Sequence, residues 1–219
     1  MNTLTKMALG LIGQLKPQPV VGDAPAISLL PPPITTGGLP LMQALAQRQS
    51  SREFDPAPLP DQMLSDLLWA AAGINRPALG GRTAPSAMNA QEVDVYLALP
   101  NGLYRYAAPT HTLDLVSAID VRRVTGYQDF VDTAPLDLVF VANYARMKLV
   151  PAAQRASYAA VAAGAMAQNV YLVCASAGLA TVIRAWLDRD ALAHAMGLSN
   201  DQHVLLSQTV GQPKTVATP

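Results

Sequence analysis

Arg48-Gln49-Ser50-Ser51-Arg52 is the most informative stretch of the chain. If the backbone leaves the preceding residues extended, alternate side chains project to one side and Arg48, Ser50 and Arg52 converge. Two guanidiniums and a hydroxyl then form a phosphate site, because a guanidinium presents paired donors that match phosphate oxygens. Standing alone, the same five residues would serve equally as a solvated basic turn. Upstream, Leu41, Met42 and Leu45 fall at helical spacing between Pro40 and Gln47. Downstream, a surer helix is predicted: Pro60 sits at a first-turn position, Met63, Leu64, Leu67, Leu68 and Ala71 form a stripe, and Gly73 follows as terminator.

Further out, Val93 to Leu99 alternates as a strand does, and Asn101-Gly102 before Leu103-Tyr104 signals a type I′ hairpin. Leu136 to Ala142, apolar but for Asp137, is a run of the kind covered on both faces. The spacing predicts the longest helix over Arg155 to Ala177, with Gly178 left-handed after it. Ala156, Ala159, Ala160, Ala162, Ala163 and Gly164 place small side chains on nearly every face of that helix. It therefore packs closely, within one subunit or across a two-fold axis. Asp188 can cap a shorter helix ending at Gly197, and Val204 to Val210 reads as a last strand. At the other end, Pro17, Pro19, Pro25, Pro31-Pro32-Pro33 and Gly37-Gly38 make residues 1–38 an extended arm, with a globular domain over 39–219.

Composition narrows the function classes. Charged residues are only 14% of the 219, and 51% are hydrophobic, so the chain is too apolar to be disordered. Fifteen basic against fifteen acidic residues leave no overall field to gather nucleic acid or an anionic membrane, and neither is an expected partner. Lone Cys174 forms no internal disulfide or Cys-rich zinc site and reads as a core residue, and His111, His194 and His203 stand at no metal-ligand spacing, so no metal is expected. No G-x-S-x-G elbow, Walker A loop or G-x-G-x-x-G is present. No run approaches the roughly 20 apolar residues of a membrane span. A cytoplasmic protein is expected, with export left open because Lys6, a short apolar patch and Ala24-Pro25-Ala26 loosely imitate a signal peptide.

One more stretch could carry chemistry. Pro85-Ser86-Ala87-Met88-Asn89-Ala90-Gln91 combines small and amide side chains, which can approach a flat heteroaromatic ring and hydrogen-bond its edge, or simply stabilise a turn.

Arg48 to Arg52 after a short helix, Pro85 to Gln91, Gly178-Leu-Ala-Thr-Val-Ile183 after a long helix, and Val210-Gly-Gln-Pro-Lys214 together resemble the FMN-dependent nitroreductase superfamily. Within it they most resemble the branch that includes the azoline-oxidising dehydrogenases. The resemblance covers residues 39 to 214 and implies an α+β fold, with a central mixed or antiparallel sheet flanked by helices. It also implies an intertwined homodimer with two FMN molecules at the interface. Carried over residue by residue, Arg48, Ser50 and Arg52, within a segment that includes Gln49, would hold the phosphate and ribityl chain. Pro85, Ser86, Ala87 and Asn89 would reach the flavin from the partner subunit, and Gln128 would contact its pyrimidine edge. Val182, Ile183, Arg184 and Ala185 would lie along the ring with backbone N–H groups near its redox nitrogen, and Lys214 would assist the phosphate.

Two departures bear on the nicotinamide donor and the substrate: Ala180 stands where a glycine is frequent, and Arg184-Ala185 replaces a Glu-Gly pair. Arg184 would draw the donor's phosphates if it faced the flavin, and do nothing if it pointed outward. No catalytic side chain is expected, since the cofactor transfers the hydride while the protein orients it and stabilises charge. The expectation is a ping-pong oxidoreductase that takes hydride from NAD(P)H and passes it to a small-molecule acceptor, such as a nitroaromatic or quinone. A dehydrogenase of peptide-derived azoline rings and a non-catalytic flavin-binding module are the alternatives.

Overall fold

The computed structural model describes residues 1–214. Its helices are α1 (Thr3–Leu11), α2 (Leu41–Gln47), α3 (Asp61–Ala72), α4 (Ala152–Ala177) and α5 (Arg189–Met196). Its strands are β1 (Ile27–Leu29), β2 (Ile74–Arg76), β3 (Gly81–Arg82), β4 (Val93–Leu99), β5 (Gly102–Ala107), β6 (Thr112–Ser117), β7 (Leu136–Asn143), β8 (Ala180–Arg184) and β9 (Gln202–Gly211). Seven strands form one antiparallel sheet in the order β1-β6-β5-β4-β7-β9-β8, and β2 and β3 make a separate small ribbon.

The apolar run in β7 occupies the sheet's interior, paired with β4 on one side and β9 on the other, and is buried from Leu136 to Ala142. That double coverage is why it lacks the polar alternation of a half-exposed strand. On one face, α3 and α4 pack Leu67, Leu68, Ala163, Met166 and Val170 against Val95, Leu97, Leu138 and Phe140. On the other, α5 and the loop at Val121 and Val124 cover Tyr96, Ala98, Val139 and Val141. Ala163 is fully buried in this chain's own core, so the small side chains of α4 serve first to bring it close to the sheet. Among the described residues α4 is also the one helix long and apolar enough to cross a membrane, and its Ala159-to-Cys174 stripe is buried within the protein.

Several local expectations differ in informative ways. Helix α4 begins at Ala152 rather than Arg155, because Pro151 supplies the entry conformation. The β4–β5 hairpin forms, but Leu99 pairs with Gly102, so the turn residues are Pro100 and Asn101. The ring of Pro100 fixes φ near −65° and excludes the type I′ turn. Residues 1–38 are not a plain extended arm. Asn2 caps α1 through its side chain to the Thr5 N–H at 2.9 Å, Gln18 bridges to Asp120, and β1 pairs with β6. The prolines break this segment into short pieces without preventing each from docking. The last five residues of the 39–219 domain lie outside the described ones.

Candidate functional site

Strand β8 is the outer strand of the sheet, so one row of its backbone groups has no strand neighbour. The Arg48–Arg52 segment fills part of that row. The Ser51 N–H donates to the Thr181 carbonyl at 2.9 Å. Beyond it, the Asp55 N–H donates to the Gln212 carbonyl at 2.9 Å, Phe54 bridges to Pro213, and the Lys214 N–H donates to the Glu53 carbonyl at 3.3 Å. Phe54 is buried against Phe130 and anchors the segment.

Tyr171 of α4 organises the first half of the segment. Its hydroxyl lies 2.8 Å from Ser50 Oγ and accepts the Ile183 N–H at 2.9 Å, while the Arg48 guanidinium stands 5.3 Å above its ring. Gln49 lines an adjoining recess with Tyr171 and Thr181. In the second half, Arg52, Gln128, Phe130 and Lys214 meet around an open groove of about 730 Å³. None of Arg48, Arg52 and Lys214 has a carboxylate partner among the described residues. Glu53 and Asp129 share the groove's wall, but three cations without an ion-pair partner among the described residues, an amide and a hydroxyl near one strand edge suit an anionic ligand bearing a polar ring.

The Val182-to-Ala185 expectation divides. Val182 is buried beside Phe54, and the Ile183 N–H is taken by Tyr171, so that donor is engaged within the chain. Ala185 is exposed at the end of β8. Arg184 neither faces an open surface nor points outward. It is 5% exposed, and its Nη2 lies 2.6 Å from Asp137 Oδ1. Its Nη1 donates to the Thr125 carbonyl at 2.9 Å and reaches Gln128 Oε1 at 3.5 Å. Burial pushes the Arg184 guanidinium down from its usual range, and the Asp137 carboxylate opposes the shift. The reason is strand alternation: with Ile183 outward, Arg184 must point inward. Gly126 leaves it room, since a Cβ there would come 2.0 Å from Arg184 Nη1.

Pro85 to Asn89 lie elsewhere. Pro85, Ser86 and Ala87 border a recess of about 310 Å³ with Tyr158, Val161 and Ala162 of α4. Ala162 and Tyr171 are nine residues apart, or about 13 Å along a helix, so one protomer does not bring this segment to the Arg48 strip. Met88, Asn89 and Gln91 hold positive φ of 53°, 52° and 49°. Such backbone costs of order 1–3 kcal/mol per residue and persists only where the surroundings hold it. Here the Gln91 N–H donates to Ser86 Oγ at 3.0 Å, and Gln91 Nε2 donates to the Gly80 carbonyl at 2.7 Å.

Sequence reasoning missed Tyr171, whose position about two helical turns before Gly178 was visible but whose polar tip had no evident partner. It also missed the polar set buried around Arg184: Asp137, the one charged residue inside the β7 run, and Thr125 and Thr209, which bond to it from elsewhere in the chain.

The nitroreductase family profile matches residues 45–212, which takes in β8, the Arg48 strip and the Gln128 loop. A Methanocaldococcus jannaschii protein provisionally named a nitroreductase is 32% identical over 152 residues, covering 65% of this chain and 76% of its own. A crystal structure from Ralstonia eutropha JMP134, also provisionally named a nitroreductase, is 54% identical with TM-score 0.89, covering 92% of this chain and 96% of that one. The NADPH:FMN oxidoreductase of Vibrio harveyi, solved with NAD+, shares the fold at 21% identity and TM-score 0.58, covering 82% of this chain and 71% of its own. The chain is an oxidoreductase that belongs to the nitroreductase family.

Proposed function

We propose that the protein is an FMN-dependent oxidoreductase that takes hydride from NAD(P)H and passes it to a nitroaromatic, quinone or similar acceptor. The observation that carries this reading is the meeting of Arg52, Lys214 and Gln128 on one groove, with Arg48 and Ser50 held by Tyr171 a few residues before Arg52 in the same segment. These residues fit FMN: cations that form no ion pair among the described residues suit its phosphate, and a side-chain amide suits the edge of its ring. When bound, FMN supplies the hydride chemistry.

The chain's own residues bind and orient. Arg48, Arg52 and Lys214 hold the phosphate and Ser50 the ribityl chain, with Tyr171 fixing Arg48 and Ser50 in place. Arg184 engages Gln128 Oε1 from behind, which leaves the Nε2 donors free for the ring. The segment Pro85 to Asn89 completes the site from a second copy of the chain. Its distance from the Arg48 strip within one protomer, and the exposed Met88, Tyr158 and Val161 around it, support this. The chain carries no separate dinucleotide-binding signature, so donor and acceptor use one face in turn.

Steady-state kinetics with NADH or NADPH and menadione test the reading. Parallel double-reciprocal lines are expected. Intersecting lines with a ternary complex, or no oxidation of either donor, would refute it.

A further inference from the structure

Helix α1 lies outside the four motifs, yet it carries a fully buried charged side chain. Lys6 is 0% exposed. Its Nζ donates to the Gln128 carbonyl at 2.9 Å and the Gly126 carbonyl at 3.4 Å, and lies 2.5 Å from Asp132 Oδ1. All three partners belong to the one loop that carries Gln128. One turn along, Gly10 meets the same loop, since a Cβ there would come 2.7 Å from Tyr127 Cε1. Residues four apart share a helix face, so Lys6 and Gly10 grip the loop together. Thr3, on the same helix, lines the groove beside Gln128 and Arg52.

An apolar side chain would dock a helix with less desolvation than an ammonium does. What a lysine adds is a set of donors aimed at carbonyls, which fixes the backbone on both sides of Tyr127 and thereby the Cα of Gln128. We infer that α1 is a wall of the cofactor site and that Lys6 is the positioning residue that sets Gln128 against the flavin ring. This rests on the FMN reading above.

Dissociation constants for FMN and for riboflavin, read from flavin fluorescence with the full chain, test it. Lys6→Met should weaken both ligands by the same factor, about five-fold, the worth of one hydrogen bond to the ring. The phosphate contacts are untouched, so the loss must not be confined to FMN. In a Gln128→Ala background, adding Lys6→Met should change neither constant further. A merely structural lysine predicts an additive loss there, and that result would overturn the inference. So would unchanged affinity in Lys6→Met. If Lys6→Met does not fold, Gly10→Ala, which displaces Tyr127 while leaving Lys6 in place, must show the same pattern, and unchanged affinity would overturn it. An unmutated chain that binds neither ligand would instead remove the FMN reading itself.

Discussion

Arg184→Met is the substitution whose effect the structure determines most sharply. The guanidinium and the Asp137 carboxylate have side chains 3% and 0% exposed, and they meet at 2.6 Å. Removing one partner of a buried pair costs about 3–5 kcal/mol, because the other charge is left uncompensated. Asp137 would keep Thr125 Oγ1 at 2.9 Å and the Thr209 hydroxyl, which places the expected loss near the lower end, about 3 kcal/mol. For a chain of this size that lowers Tm by about 6–12 °C. Guanidinium denaturation followed by far-ultraviolet circular dichroism, at fixed protein concentration, measures it. Adding Asp137→Asn removes the stranded charge and should recover part of the loss. A cost under about 1 kcal/mol, within the ordinary range of single substitutions, would refute the buried-pair account. So would a double variant less stable than Arg184→Met. Arg184→Glu, which a surface-facing arginine would make a probe of donor binding, instead sets two carboxylates together in the core and perturbs folding first.

Arg48→Ala or Arg52→Ala should weaken FMN binding by about 1.5–3 kcal/mol, the worth of a hydrogen bond to a charged group, while riboflavin binding hardly changes; equal losses by titration would exclude a phosphate role. Burial pushes the Cys174 thiol up to about 12, so it should resist a disulfide exchange reagent at pH 8 in the native protein and react only on unfolding. The same shift sets a pH window. The unfolded thiol ionises first, so its contribution to stability is full below its ordinary value of 9.0 and is lost as pH rises towards 12. Denaturation midpoints that rise over that window would contradict it.

Much of the frame was legible because single principles governed it. The run in β7 announced a doubly covered strand, Gly178 and Gly197 hold φ of 69° and 65° after α4 and α5, and Asp188 Oδ1 accepts the Ala191 N–H at 3.0 Å. Strand β8 was harder, since Ala180 to Arg184 mixes buried and outward residues with a charge turned inward. Helix α1 was hidden by the prolines that follow it, and Lys6 looked like a mark of export when its partners lie more than a hundred residues away. For the site, the local motifs were readable, but their supports were not. Tyr171 meets Ser50 across 121 residues of sequence, and Arg184 meets Thr125 across 59, distances that no periodicity encodes. The separation of Pro85 to Asn89 from the Arg48 strip within one protomer is likewise a tertiary fact.

The central claim is that the groove at Arg52, Gln128 and Lys214 holds FMN. Its most direct test is to release the cofactor of the purified full chain by heat, identify it by chromatography, and titrate the stripped protein with FMN. The account predicts a yellow protein that yields FMN and rebinds it in equimolar ratio to the chain. Recovery of FAD alone, or failure of the stripped protein to bind added FMN, would contradict it.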